Sequence, residues 1–137
     1  MAQVYVTRVE RFNAAHKLWV DEWSEEKNFE VFGKCSNKNW HGHNYRLEVT
    51  VKGVPNPQTG FVIDAKKLGD LIKREVTEKL DHKNLNLDVP FLKDKQPTSE
   101  NLTIIIWQIL NDHIKTCELY SVKVIETENI FAEYKGE

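Results

Sequence analysis

Cysteine is scarce: Cys35 and Cys117 are the only two in 137 residues. Two thiols make no disulfide framework, so free thiols and a reducing, cytoplasmic setting are expected. Long apolar runs are missing as well. No stretch approaches the roughly 20 residues that span a bilayer, and Met1–Val6 has no basic region leading into an apolar one, so no secretory leader is expected. Charge of one sign is not in excess. With 19 Lys and Arg against 21 Asp and Glu, the net charge is −2. No global field therefore favours nucleic acid or an anionic membrane, and an anionic substrate would need a local cluster of bases. Repeats and low-complexity tracts are absent, which excludes solenoid architectures. What is present is a hydrophobic fraction of 40% and a charged fraction of 29%. That composition and length predict one soluble globular domain over residues 1–137.

The residues group around one stretch, Lys34-Cys35-Ser36-Asn37-Lys38-Asn39-Trp40-His41-Gly42-His43-Asn44-Tyr45. Apolar and polar residues alternate after it to Val51, and a strand is predicted from His43 to Gly53. Started at His41, that strand would carry His41 and His43 on one face, because side chains two apart share a face. Val4 to Leu18 reads as a strand, or as two with a bend, ending in Phe12-Asn13-Ala14-Ala15-His16-Lys17-Leu18. Residues 19–40 form a long insert with a short helical turn, anchored by Phe29, Val31 and Phe32; connections of that length tend to be functional. Turn formers from Val54 to Gly60 return the chain to Phe61-Val62-Ile63, a short strand predicted to pair with the preceding one as a hairpin.

Asp64 caps an amphipathic helix in which Ala65, Leu68, Leu71, Ile72, Glu75 and Val76 fall at helical spacing, running to about Leu80. Asp81–Asn86 breaks it, and a loop follows, punctuated by Pro90 and Pro97. Thr98 or Ser99 caps a second helix with Leu102, Ile105, Ile106, Ile109, Leu110 and His113 on its apolar side. Leu119–Glu126 and Ile130–Tyr134 close the chain as two strands. The order β-β-α-α-β-β predicts an α+β domain with a four-stranded antiparallel sheet and both helices on one face. Its open edges offer a route to pairing with a second copy.

His16, His41 and His43 are the first chemical candidates. Three imidazoles suit zinc and leave a fourth position for substrate or water. A closed structural site with Cys35 as fourth ligand also fits the spacing, as do three ordinary surface or packing histidines. Cys35 near a metal and lysines would have a lowered pKa and could act as base or nucleophile; as a lone cysteine it is more often inert. Asp81 beside His82 can form a general acid/base pair, or simply place a histidine against a helix C-terminus. Glu126 reads as a solvated turn residue unless it accepts a guanidine-like ligand edge. Trp19, Trp23, Trp40 and Phe32 can stack on a flat heterocycle or pack.

Together these segments resemble the 6-pyruvoyl-tetrahydropterin synthase family over nearly the whole chain. The resemblance rests on Phe12–Leu18, Phe32–Cys35 through His41–Tyr45, Thr59–Asp64, Leu80–Leu85, Thr98–Asn101, and Glu126-Thr127 to Glu137. It implies the tunnelling fold, trimers that close a barrel, two trimers stacked as a hexamer, and active sites between subunits. It implies that His16, His41 and His43 hold zinc. Cys35 would be the proton-abstracting thiolate supplied from a neighbouring subunit, with Asp81 and His82 relaying protons. Glu126 would anchor the pterin's amino-pyrimidine edge, and Thr98 and Ser99 would line that pocket. The family substrate is 7,8-dihydroneopterin triphosphate, from which triphosphate is eliminated. Lys34 or Lys38 can meet the triphosphate.

A sister branch, 6-carboxytetrahydropterin synthase of queuosine biosynthesis, takes the same substrate and also expels acetaldehyde. Five residues separate Cys35 from His41, and with Lys34–Asn37 they resemble the pyruvoyl branch; Pro97-Thr98-Ser99-Glu100 is common in the other. The expectation is therefore a pyruvoyl synthase, with the carboxy branch as alternative and a non-catalytic zinc-stabilised interaction module as the alternative of another class.

Overall fold

A computed structural model describes residues 1–137. Strand β1 (Val4–His16) is unbroken. Its early positions are rich in β-branched residues. Towards its end a period of two buries Phe12, Ala14 and His16 and exposes Arg11 and Asn13. Strand β2 (His41–Gly53) buries Tyr45, Leu47, Val49 and Val51 in the same rhythm. The two pair antiparallel from Val4↔Gly53 to His16↔His41. This hairpin, with residues 17–40 as its connection, is the frame of the molecule.

Strands β4 (Glu118–Thr127) and β5 (Ile130–Tyr134) extend the sheet. With Lys83–Asn84 as β3, the strand order is β3-β1-β2-β4-β5. Two expectations are corrected here. Phe61-Val62-Ile63 is not a strand. β2 lies between β1 and β4, so it has no free edge for a third partner. Val62 and Ile63 instead pack against the core. The sheet also has five strands rather than four. β3 (Lys83–Asn84) pairs parallel to β1 through Ala14 and Ala15, where only a helix-breaking turn was expected.

The helices cover one face, as expected for an α+β chain. Asp64 caps α2 (Ala65–Ile72) by accepting from the Lys66 N–H at 2.9 Å. A π-helical turn (Lys73–Thr77) and α3 (Glu78–Leu80) continue it. Thr98 caps α4 (Ser99–Asn111) through the Asn101 N–H at 3.1 Å. Leu68, Ile72, Val76, Leu80, Leu102, Ile106 and Leu110 are fully buried in one core with Tyr45, Leu47, Val49, Val51, Val122 and Val124 of the sheet. Burying each such side chain stabilises by about 1.5–3 kcal/mol. His113 does not belong to this stripe. It lies beyond the end of α4, partly exposed, with its ring against the Ile109 carbonyl. No helix is long and apolar enough to cross a membrane.

In the connection 17–40 Phe32, one of the three expected apolar anchors, is half-buried and stacks on Trp23 with centroids 5.9 Å apart, but the main tie is polar. The connection contains α1 (Glu25–Phe32), capped by the Ser24 hydroxyl, and a 3₁₀ turn (Gly33–Ser36). Phe29 and Val31, expected as anchors, are 62% and 54% exposed. Asn28 is fully buried in their place. Its carboxamide oxygen accepts from the Val20 N–H at 2.8 Å, and its amide donates to the Val20 and Ser24 carbonyls at 3.0 Å. Gly33 takes φ +57° to leave α1, a conformation that suits glycine. The Leu18 N–H donates to the Cys35 carbonyl at 2.7 Å, tying the loop's end back to β1.

Candidate active site

Three imidazoles meet at the mouth of the β1–β2 hairpin. The register sets His16 directly across from His41, and the strand period puts His43 on the same face, across from Ala14. One ring nitrogen from each lies within 4.8 Å of the others. The rings stand edge to face, with the His16 and His41 centroids 4.5 Å apart. Trp40, just before His41, holds a left-handed φ of +68°, a strained conformation of the kind found where a structure over-determines a functional segment.

Hydrogen bonding fixes His16. Its Nδ1 lies 2.8 Å from the Pro97 carbonyl oxygen, which can only accept, so Nδ1 carries the proton and Nε2 has a free lone pair. His16 Nε2, His41 Nδ1 and His43 Nε2 are buried without a hydrogen-bond partner. Buried polar atoms are rarely left so, and an unexplained group of them points to a missing ligand. Burial lowers the pKa of all three rings, favouring the neutral form that a metal needs. Neutral nitrogens converging on this scale fit a cation of the zinc type, whose metal–nitrogen bonds are about 2.0–2.1 Å.

Glu126 belongs to this cluster. Its Oε1 lies 3.4 Å from His16 Nε2 and 3.6 Å from His43 Nε2. The β4–β5 register shifts between Ile125 and Thr127, so Glu126 occupies a bulge, a device that re-aims side chains near sites. Cys35 is half-buried on the loop that closes over the hairpin. In the chain alone, burial and then the Glu126 charge raise its pKa.

Thr98 and Ser99 adjoin His16 through Pro97. The Thr98 hydroxyl is engaged as the cap of α4, whereas the Ser99 hydroxyl is buried and unpartnered. Asp81 and His82 stand apart. Asp81 accepts from the Asn13 N–H at 2.8 Å, and its other oxygen meets His82 Nδ1 at 2.9 Å. The Asn13 bond, foremost, holds the Asp81 carboxyl below its usual range. The His82 ring is 82% exposed, on a backbone with φ +59°. No hydrogen bond or ion pair joins this pair to the histidines or to Cys35. Lys38 lines a surface groove with Lys17 and Asn37, while Lys34 is not among its lining residues. Tyr45 was named only as part of a motif. It is buried beneath the site, and its hydroxyl lies 3.4 Å from His16 Nδ1.

Fold and site thus define an α+β protein with a three-histidine candidate metal centre on a strand hairpin. Residues 5–137 match the family model described as 6-pyruvoyl tetrahydropterin synthase. The chain is 43% identical over 135 residues to the 6-pyruvoyl tetrahydrobiopterin synthase of Homo sapiens, covering 98% of this chain and 93% of that protein. It is 46% identical over 134 residues to the protein of the same name from Dictyostelium discoideum, covering 98% and 97%. The structure of Caenorhabditis elegans 6-pyruvoyl tetrahydropterin synthase superposes with a TM-score of 0.93 at 39% identity, covering 100% of this chain and 98% of that one. This chain belongs to the 6-pyruvoyl tetrahydropterin synthase family and has its tunnelling fold. It is an enzyme, a carbon–oxygen lyase acting on phosphates.

Proposed function

We propose that residues 1–137 form one domain that acts as a zinc-dependent 6-pyruvoyl-tetrahydropterin synthase in tetrahydrobiopterin-type pterin biosynthesis. The carrying observation is the set of three unpartnered imidazole nitrogens at the hairpin mouth. His16, His41 and His43 would hold the zinc. Bound there, it would supply Lewis acidity towards the hydroxyl oxygens of the substrate side chain. In 7,8-dihydroneopterin triphosphate the Cys35 thiolate takes a proton from a side-chain carbon. The carbon–oxygen bond to triphosphate breaks, and the triphosphate leaves with its electron pair. His82, oriented by Asp81, returns a proton to carbon. The two hydroxyl-bearing carbons end as the dicarbonyl of the pyruvoyl group; the balancing reductions are of the carbon that loses triphosphate, which becomes a methyl, and of the ring's C6=N5 imine, which becomes tetrahydro, so no external oxidant is needed.

In this reading Cys35 works beside its own chain's histidines rather than across a subunit boundary, as the resemblance alone implied, because the Glu126 charge that acts on the histidines also reaches it. The exposed Asp81–His82 pair comes from a neighbouring subunit. Glu126, Thr98 and Ser99 contact the pterin, with the unpartnered Ser99 hydroxyl as the best supported of the three. Assembly as a homohexamer is supported by the unpaired outer edge of β5 and its exposed Ile130 and Phe131. The place of action is the cytoplasm.

The test is to incubate the zinc-loaded protein with 7,8-dihydroneopterin triphosphate, identify the products by mass, and trap acetaldehyde. A pyruvoyl pterin without acetaldehyde is expected. A carboxy pterin with acetaldehyde would overturn this reading in favour of the queuosine branch.

A further inference from the structure

Tyr45 is 1% exposed, stacked face to face on Phe12 with ring centroids 4.7 Å apart. Packing alone explains an aromatic ring there. It does not explain a hydroxyl, because burying one without a partner costs about 1–3 kcal/mol. The only partner of this hydroxyl is His16 Nδ1, at 3.4 Å. Nδ1 carries the proton, since it also faces the Pro97 carbonyl oxygen at 2.8 Å. The phenol oxygen therefore accepts a share of the same N–H, and its own hydrogen is left without an acceptor in the chain.

We propose that Tyr45 is a positioning residue of the histidine site: together with Pro97 it holds the His16 N–H and so fixes the tautomer and ring direction that present Nε2 to a metal. Partners of this kind are worth roughly 10–100-fold in metal affinity. The expected effect of losing Tyr45 is at the low end, about tenfold, since the shorter Pro97 bond remains. This inference rests on the reading that the three histidines hold a metal.

The experiment uses the full chain and Tyr45→Phe, which keeps the ring stacked on Phe12. Zinc affinity is read by competition with a chromophoric chelator, and the cobalt-substituted visible spectrum reports the ligand field. Imidazole ¹⁵N shifts of the zinc-loaded proteins report which His16 nitrogen is protonated. Expected are about tenfold weaker zinc binding, an altered cobalt spectrum, and a circular dichroism spectrum and melting curve close to those of the parent. Unchanged affinity, spectrum and ¹⁵N shifts would overturn the proposal and leave Tyr45 as packing. A parent chain that binds no zinc would instead remove the reading on which it rests. Should Tyr45→Phe melt early, Tyr45→Trp offers a second buried ring lacking that acceptor, with the same outcomes.

Discussion

The two chemical halves of this molecule are built to different degrees. The histidine half is finished within one chain. Strand register opposes His16 to His41, the strand period adds His43, a bulge turns Glu126 inward, and Pro97 fixes a tautomer. The proposed acid–base half is not. Cys35 sits on a loop with its pKa raised, and the Asp81–His82 pair is exposed on the far side of Asn13. Metal ligands need directions fixed to within a narrow tolerance, which neighbouring strands provide. A proton relay that works between subunits must stay exposed until the subunits meet. The difference teaches that binding metal and performing the reaction should separate experimentally.

The largest effect is expected at the histidines. Stripping the metal with a chelator, or His41→Ala, should take turnover to background, with bound zinc lost in parallel by atomic absorption. Turnover surviving without metal would break the comparison at its first term. Cys35→Ala comes next: kcat should fall by about 10²–10⁴-fold, the range for a positioned proton-transfer group, with zinc content unchanged. Loss of zinc in that variant would make Cys35 a ligand and the site a closed one. Asp81→Asn should lower kcat by roughly 10²-fold and leave zinc affinity alone, because the pair has no contact with the histidines.

The smallest effects sharpen how the loop is held. Asn28→Ala should destabilise the chain by on the order of 2–3 kcal/mol, because a fully buried carboxamide and its bonds to the Val20 and Ser24 backbone are lost together. Phe29→Ser should change stability by less than about 0.5 kcal/mol. Chemical denaturation of both variants measures the contrast, and a larger effect at Phe29 would restore the apolar anchor.

Much of this was legible in the residues. The period of two through His41, His43 and Tyr45 placed two imidazoles on one face, and Asp64 and Thr98 marked both helix starts. The misses share a physical cause, since each depended on which element stands beside which. Phe61-Val62-Ile63 has strand composition, yet β2 offers no edge to it. Phe29 and Val31 are apolar, yet a single buried amide satisfies more backbone than either could. Glu126 reads as a turn residue because a bulge leaves no mark in the residue types. The Tyr45 hydroxyl could not be weighed before Pro97 was found across from His16.

One measurement tests the division of labour most directly. Cys35→Ala and His82→Ala chains, each inactive alone, are dissociated, mixed in equal amounts and reassembled. If the thiol and the imidazole meet across subunits, random mixing should restore about a quarter of parental turnover, with zinc content unchanged throughout. A mixture as inactive as its components would contradict the account and place Cys35 and His82 within a single chain.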